Sequence, residues 1–250
     1  MAGLISALDF GVKQIEFDIR LTRCGTPIIT HDESAHDYRG HVHKICEIMA
    51  KDMPALGGDF ARMPSARDLF AAIASHENSG CLLLIDVKDA GFEKMLYALC
   101  AEYRLRERSI WVSWLPEVLY AVHEIDPKAR TCLSHWCQSP TLSTRAVHKV
   151  YAAKLGHIER PDRHYVHGER SGWFVDGPLR GRLREIVDWV CVPAGQISAA
   201  LVENYHTDGT QVSAFSYTSL DAMNLAEQRY GHDAFFSDAK APYESALINI

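Results

Sequence analysis

Residues 14–32 read QIEFDIRLTRCGTPIITHD, and the reading of this stretch decides the fold. Ile15, Phe17, Ile19 and Leu21 alternate with Glu16, Asp18, Arg20 and Thr22. Side chains two apart on a strand share a face. One face therefore packs, while the other presents the carboxylates of Glu16 and Asp18 side by side, as a pair of metal ligands would be. After the turn residues Cys24, Gly25 and Thr26, a short apolar run from Pro27 to Thr30 delivers His31 and Asp32 at its end. Each feature alone reads as solvated surface; their succession across one turn is more specific.

Working outward, Leu4 to Phe10 read as an amphipathic helix running into the turn at Gly11. Glu33 to Met63 is polar, His-rich and broken by Gly40, Pro54, Gly57 and Gly58, which predicts a loop with at most a short helix. Ser65 caps a helix from Ala66 to His76, with Asp68 three residues on as in a capping box. The run Cys81 to Ile85 is almost continuously apolar, as in a parallel strand covered on both faces, until Asp86 and Lys88 interrupt it.

The pattern then repeats. Helix Phe92 to Arg104 carries Phe92, Met95, Leu96, Leu99, Cys100 and Tyr103 on one stripe. Strand Ile110 to Leu115 precedes a helix opened by Pro116. Strand Arg130 to Trp136, helix Leu142 to Ala153, strand Ile186 to Pro193, helix Ala199 to His206, strand Gln211 to Thr218, helix Leu220 to Tyr230 and strand Ala234 to Asp238 complete the series. Alternating strands and helices predict a parallel sheet. Residues 155–184 form an inserted loop without apolar periodicity; its His157, His164 and His167 could bind a metal but read more simply as solvated.

The 250 residues, 47% hydrophobic, suffice for one large core, so a single α/β barrel domain is expected over 1–250. A net charge of -6 argues against a nucleic-acid surface and for a small partner. Seven cysteines without a Cys-x-x-Cys pair suggest neither a disulfide framework nor a thiolate zinc site, and predict a reducing, cytoplasmic location. No apolar run approaches membrane-span length. There is no Gly-x-Ser-x-Gly elbow, no His-Glu-x-x-His and no phosphate-binding glycine loop.

Gly11, Ile15, Glu16, Asp18, Thr22, Gly25, His31 and Asp32 together resemble the opening motifs of the glycerophosphodiester phosphodiesterases, with Cys24 where that family usually has Asp. The resemblance continues through Asp86-Val87-Lys88 (Glu-x-Lys in the family), Ser113-Trp114 with Glu117-Val118-Leu119, Phe215-Ser216-Tyr217-Thr218 and Ser237-Asp238. It implies a (β/α)8 TIM barrel. It also implies Glu16, Asp18 and Asp86 as ligands of a divalent metal, Lys88 and Phe215 as substrate-binding residues, and His31 as a catalytic acid or base. Oxygen-only ligands favour Mg2+ or Ca2+, and three converging carboxylates would repel one another without such an ion.

The implied reaction is metal-dependent hydrolysis of a glycerophosphodiester to glycerol 3-phosphate and an alcohol. A non-catalytic phosphodiester-binding barrel and a phospholipase-type phosphodiesterase are the alternatives. Seven strands are counted where the barrel has eight, and the family's first strand, with its His-Arg-Gly, has no match here. The expectation is a chain lacking that strand, nearly inactive as a fragment.

Overall fold

The computed structural model describes residues 1–134, 179, 181–194, 197–217 and 219–237. These fall into two compact units, one formed by Met1–Ser113 with Glu117–Arg130, the other by Trp114–Pro116 with residues from Thr131 onward.

In the first unit, α1 (Ala2–Asp9) leads into β1 (Gln14–Leu21) and β2 (Pro27–Ile29). There follow β3 (Ser34–His36), β4 (Val42–Lys44), α2 (Met53–Leu56), α3 (Ala66–Ser75), β5 (Leu82–Val87), α4 (Glu93–Glu102), β6 (Ser109–Ser113) and α5 (Pro116–Ile125). The sheet runs β6-β5-β1-β2, parallel except for β2, which folds back antiparallel on the end of β1. Alternation in β1 works as the sequence predicts: Ile15, Phe17 and Ile19 are buried, with Phe17 edge-on to Phe70 of α3 at 6.1 Å between ring centroids. Ser65 caps α3, its hydroxyl oxygen accepting from the Asp68 N–H at 3.1 Å.

The expected loop at 33–63 is instead a small structured subregion. Strands β3 and β4 pair as a hairpin, and Ile28, Ala35, Ile45, Met53 and Phe60 close a core of their own. No periodicity announces it, because each short element contributes only one or two apolar side chains. Buried Asp37 replaces the missing packing. It accepts from the N–H groups of Arg39 and His41, and its Oδ2 lies 3.2 Å from His41 Nδ1 and 3.1 Å from His43 Nε2. These contacts hold its carboxyl well below the usual range although burial opposes that.

In α4 the buried stripe takes in Tyr97, while Met95 faces outward. Tyr97 stacks on Trp111 of β6 at 5.6 Å, so the largest neighbouring surface sets the helix's rotation.

The second unit contains β7 (Arg130–Ser134), α6 (Arg182–Ile186), β8 (Trp189–Pro193), α7 (Ala199–Thr207), β9 (Gln211–Tyr217), α8 (Leu220–Tyr230) and β10 (Ala234–Ser237). Its strands pair in parallel in the order β7-β8-β9-β10. Ser198 and Ser219 cap α7 and α8 through their side-chain oxygens, and Gly231, at φ 67°, ends α8 in the left-handed conformation that glycine adopts cheaply. Ile186, read from sequence as the start of a strand, belongs to α6. It is buried with Leu183 at a one-turn spacing, and β8 begins only at Trp189.

Seven parallel strands are present among the described residues, the number counted in the sequence. The predicted helix Leu142 to Ala153, the three loop histidines and Asp238 lie outside the described residues. No helix among the described residues is long and apolar enough to cross a membrane.

Candidate active site

The parallel pairing of β1 with β5 sets Asp18 directly opposite Asp86. Because side chains alternate, Glu16, Asp18 and Asp86 then project to one side, and their carboxylate oxygens come within 4.8 Å of one another. Strand β1 continues past Asp18 to Leu21, as far as the alternation read from the sequence, because β2 pairs with Ile19, Arg20 and Leu21. Along the parallel ladder, which stops at Ile19 and Val87, Asp18 and Asp86 still occupy the C-terminal end, where α/β barrels place their chemistry.

Lys88 turns back over this cluster. Its ammonium lies 2.9 Å from Asp18 Oδ1 and 2.6 Å from Asp86 Oδ2. Burial opposes the charge most strongly, yet Asp86, Asp18 and Glu16 together outweigh it and hold Lys88 above the ordinary lysine range. Burial, then Asp18 and Asp86, push the Glu16 carboxyl well above the usual range. Burial also raises Asp86, against the attraction of Lys88. Asp86 Oδ1 is buried without a hydrogen-bond partner. An orphaned carboxylate oxygen within a set of oxygen donors fits a hard divalent cation, which would satisfy both the lone pair and the excess negative charge.

His31 leaves the end of β2 with its imidazole largely exposed, at 72%. Its Nδ1 lies 2.8 Å from Asp32 Oδ1. An Nδ1–H donating to that carboxylate leaves Nε2 outward and available for proton transfer.

Two charged residues escaped the sequence reading. Arg20 follows Glu16 and Asp18 on the same face of β1, and its side chain is nearly buried. Its Nε donates to the His31 carbonyl at 2.7 Å, and its Nη1 lies 3.1 Å from Asp89 Oδ1, while Asp89 Oδ2 accepts from the Leu21 N–H at 2.9 Å. The period-2 spacing was a visible signal for Arg20; nothing in the sequence names a partner 69 positions away.

Ser113, part of a motif that carries the family resemblance, is fully buried and donates to the Val87 carbonyl at 2.6 Å. Phe215 lies on β9 of the second unit, opposite Pro193 of β8, and is not among the residues that the first unit brings together. Ser216 beside it stands at φ 70°, a strained conformation for a non-glycine residue.

Against known proteins, residues 1–240 match the sequence profile of the glycerophosphoryl diester phosphodiesterase family. Glycerophosphodiester phosphodiesterase 1 of Bos taurus is 28% identical over 157 residues, which is 56% of this chain and 46% of that protein. The chain thus spans about half the length of the curated relatives it matches. Among solved structures, an Oleispira antarctica phosphodiesterase in complex with the product sn-glycerol-3-phosphate superposes with a TM-score of 0.64 at 17% identity, covering 100% of this chain and 90% of that one. The glycerophosphodiester phosphodiesterase of Agrobacterium tumefaciens gives 0.62 at 13%, covering 98% and 91%. At such identities the likeness shows the fold, and it is the (β/α)8 class that the sequence predicts.

Proposed function

We propose, because this chain belongs to the glycerophosphoryl diester phosphodiesterase family, that it hydrolyses a glycerophosphodiester to glycerol 3-phosphate and an alcohol. In this reading Glu16, Asp18 and Asp86 hold a divalent cation, Mg2+ or Ca2+, and the substrate is a small molecule. The observation that carries it is the convergence of these three carboxylates within 4.8 Å at the C-terminal end of a parallel ladder, one oxygen left orphaned.

When bound, such an ion supplies charge that polarises a phosphoryl oxygen. The chain's own groups do the rest. Breaking the phosphorus–oxygen bond to the alcohol leaves an alkoxide that needs a proton, and the attacking oxygen must lose one. His31, with Nδ1 engaged by Asp32, transfers protons through Nε2. Lys88 contributes a fixed positive charge beside the carboxylates, where a phosphate would approach. Phe215 is assigned, from the family resemblance, to contact the substrate.

The test is hydrolysis of glycerophosphocholine with Mg2+ or Ca2+, with glycerol 3-phosphate read by a coupled dehydrogenase. Slow turnover that chelator abolishes and either ion restores is expected. A folded protein that releases no glycerol 3-phosphate with either ion would overturn the assignment.

A further inference from the structure

We infer that Arg20 and Asp89 are a positioning pair that fixes where His31 presents its imidazole to the carboxylate cluster, an inference that rests on the hydrolytic reading above. His31 has little else to hold it: its side chain is largely exposed and touches Asp32, itself exposed. A proton-transfer group so placed depends on its backbone for position.

That backbone is gripped from two sides. The Thr30 N–H donates to the Asp18 carbonyl at 3.1 Å, tying the end of β2 to the strand that carries two of the three carboxylates. The His31 carbonyl accepts from Arg20 Nε at 2.7 Å. Arg20 is anchored in turn by Asp89, which spends its other oxygen on the Leu21 N–H, so the guanidinium has one orientation available. Asp89 directly follows Lys88, whose N–H donates to the Ile19 carbonyl at 3.1 Å. The pair thus fastens the His31 segment to the strand-end turn that carries Lys88. A guanidinium suits this task because its planar donors serve two acceptors in fixed directions, which a lysine at the same place could not. Arg20 touches no ligand-cluster carboxylate among the contacts seen, so its effect is exerted through His31.

The experiment compares wild type, Arg20→Met, His31→Ala and the double variant on glycerophosphocholine at saturating metal. Arg20→Met should lower kcat by about 10- to 100-fold, the scale of an ångström-level misplacement, with KM changed by no more than about twofold. In the double variant kcat should fall no lower than in His31→Ala alone. Wild-type kcat in Arg20→Met, or losses that multiply in the double variant, would overturn the inference. Asp89→Asn keeps an acceptor for the Leu21 N–H and frees the guanidinium; it should give the same kcat-only loss in smaller measure, and it replaces Arg20→Met if that variant does not fold. If wild type itself shows no turnover, which sinks the functional reading alone, amide exchange decides. About tenfold faster exchange across residues 30–33 in either variant supports the positioning role, and unchanged exchange overturns it.

Discussion

Asp86→Asn separates a metal ligand from a merely buried acid, because the two roles give opposite signs. Burial and Asp18 outweigh Lys88 in raising the Asp86 carboxyl, so its surroundings disfavour the charge it would carry. Asparagine keeps the shape and still offers an oxygen to Lys88 Nζ, which now lies 2.6 Å from Oδ2. Without metal, the variant should therefore melt at the wild-type temperature or above it. With metal the order reverses. A ligand present at 100 times its Kd stabilises the folded state by about 2.7 kcal/mol. For 250 residues, an unfolding entropy of about 2.1 cal/mol/K per residue totals about 0.5 kcal/mol/K, so wild type should gain about 5 °C. Losing one of three anionic ligands should reduce the gain in Asp86→Asn to about 1 °C or less at the same concentration. Differential scanning fluorimetry of both proteins with chelator, with Mg2+ and with Ca2+ reads these shifts. Equal metal-induced shifts in the two proteins would refute the assignment of Asp86 as a ligand, and a metal-free variant melting well below wild type would refute the electrostatic argument.

Lys88→Met should act in the reverse sense: removing one partner of a buried ion pair costs about 3–5 kcal/mol, so the metal-free protein should melt about 6–10 °C lower, while the metal-induced shift grows because a competing cation is gone. Cys24 is exposed, and its thiol is lowered to about 6 by the hydroxyls of Thr22 and Thr26 and the N–H of Ala50. Since only the thiolate reacts, iodoacetamide labelling of Cys24, followed by peptide mass spectrometry, should rise with pH through a midpoint near 6; a midpoint near the ordinary 8.5 would contradict these contacts. Ser216→Gly should stabilise the protein by about 1 kcal/mol in urea unfolding, since φ 70° costs a residue with a side chain about that much, and a loss of stability would show that the serine is otherwise held.

The fold was legible wherever one element buries a long face. The alternation of β1, the apolar run of β5 and the capping serine Ser65 each fix an element from local sequence alone. It was illegible between Glu33 and Met63, where Ala35, Ile45, Met53 and Phe60 meet Ile28 in space without sharing any period. Hydrophobic patterning reports faces, and a core assembled from single residues has none. The start of β8 was misread for a related reason: Leu183 and Ile186 fit either a helical turn or the lead-in to a strand, and only packing decides.

The candidate site divides along the same line. Glu16, Asp18 and Asp86 could be named because a charge inside a strand's apolar rhythm is conspicuous; their convergence needed the register that sets Asp18 against Asp86. Lys88 shows what sequence cannot supply. Spacing alone gave it no partner within the chain, and the structure seats it on Asp18 and Asp86. When all are ionised, three carboxylates and one ammonium leave two negative charges uncompensated, the charge of one divalent cation. Burial first, and the negative charges of Asp18 and Asp86 after it, raise the Glu16 carboxyl, since protonation is the other way the folded chain can neutralise the cluster. Lys88 thus offsets part of the repulsion among the carboxylates that folding brings together, and the two charges it leaves are what a divalent ion would neutralise in the proposed reading of Glu16, Asp18 and Asp86 as its ligands.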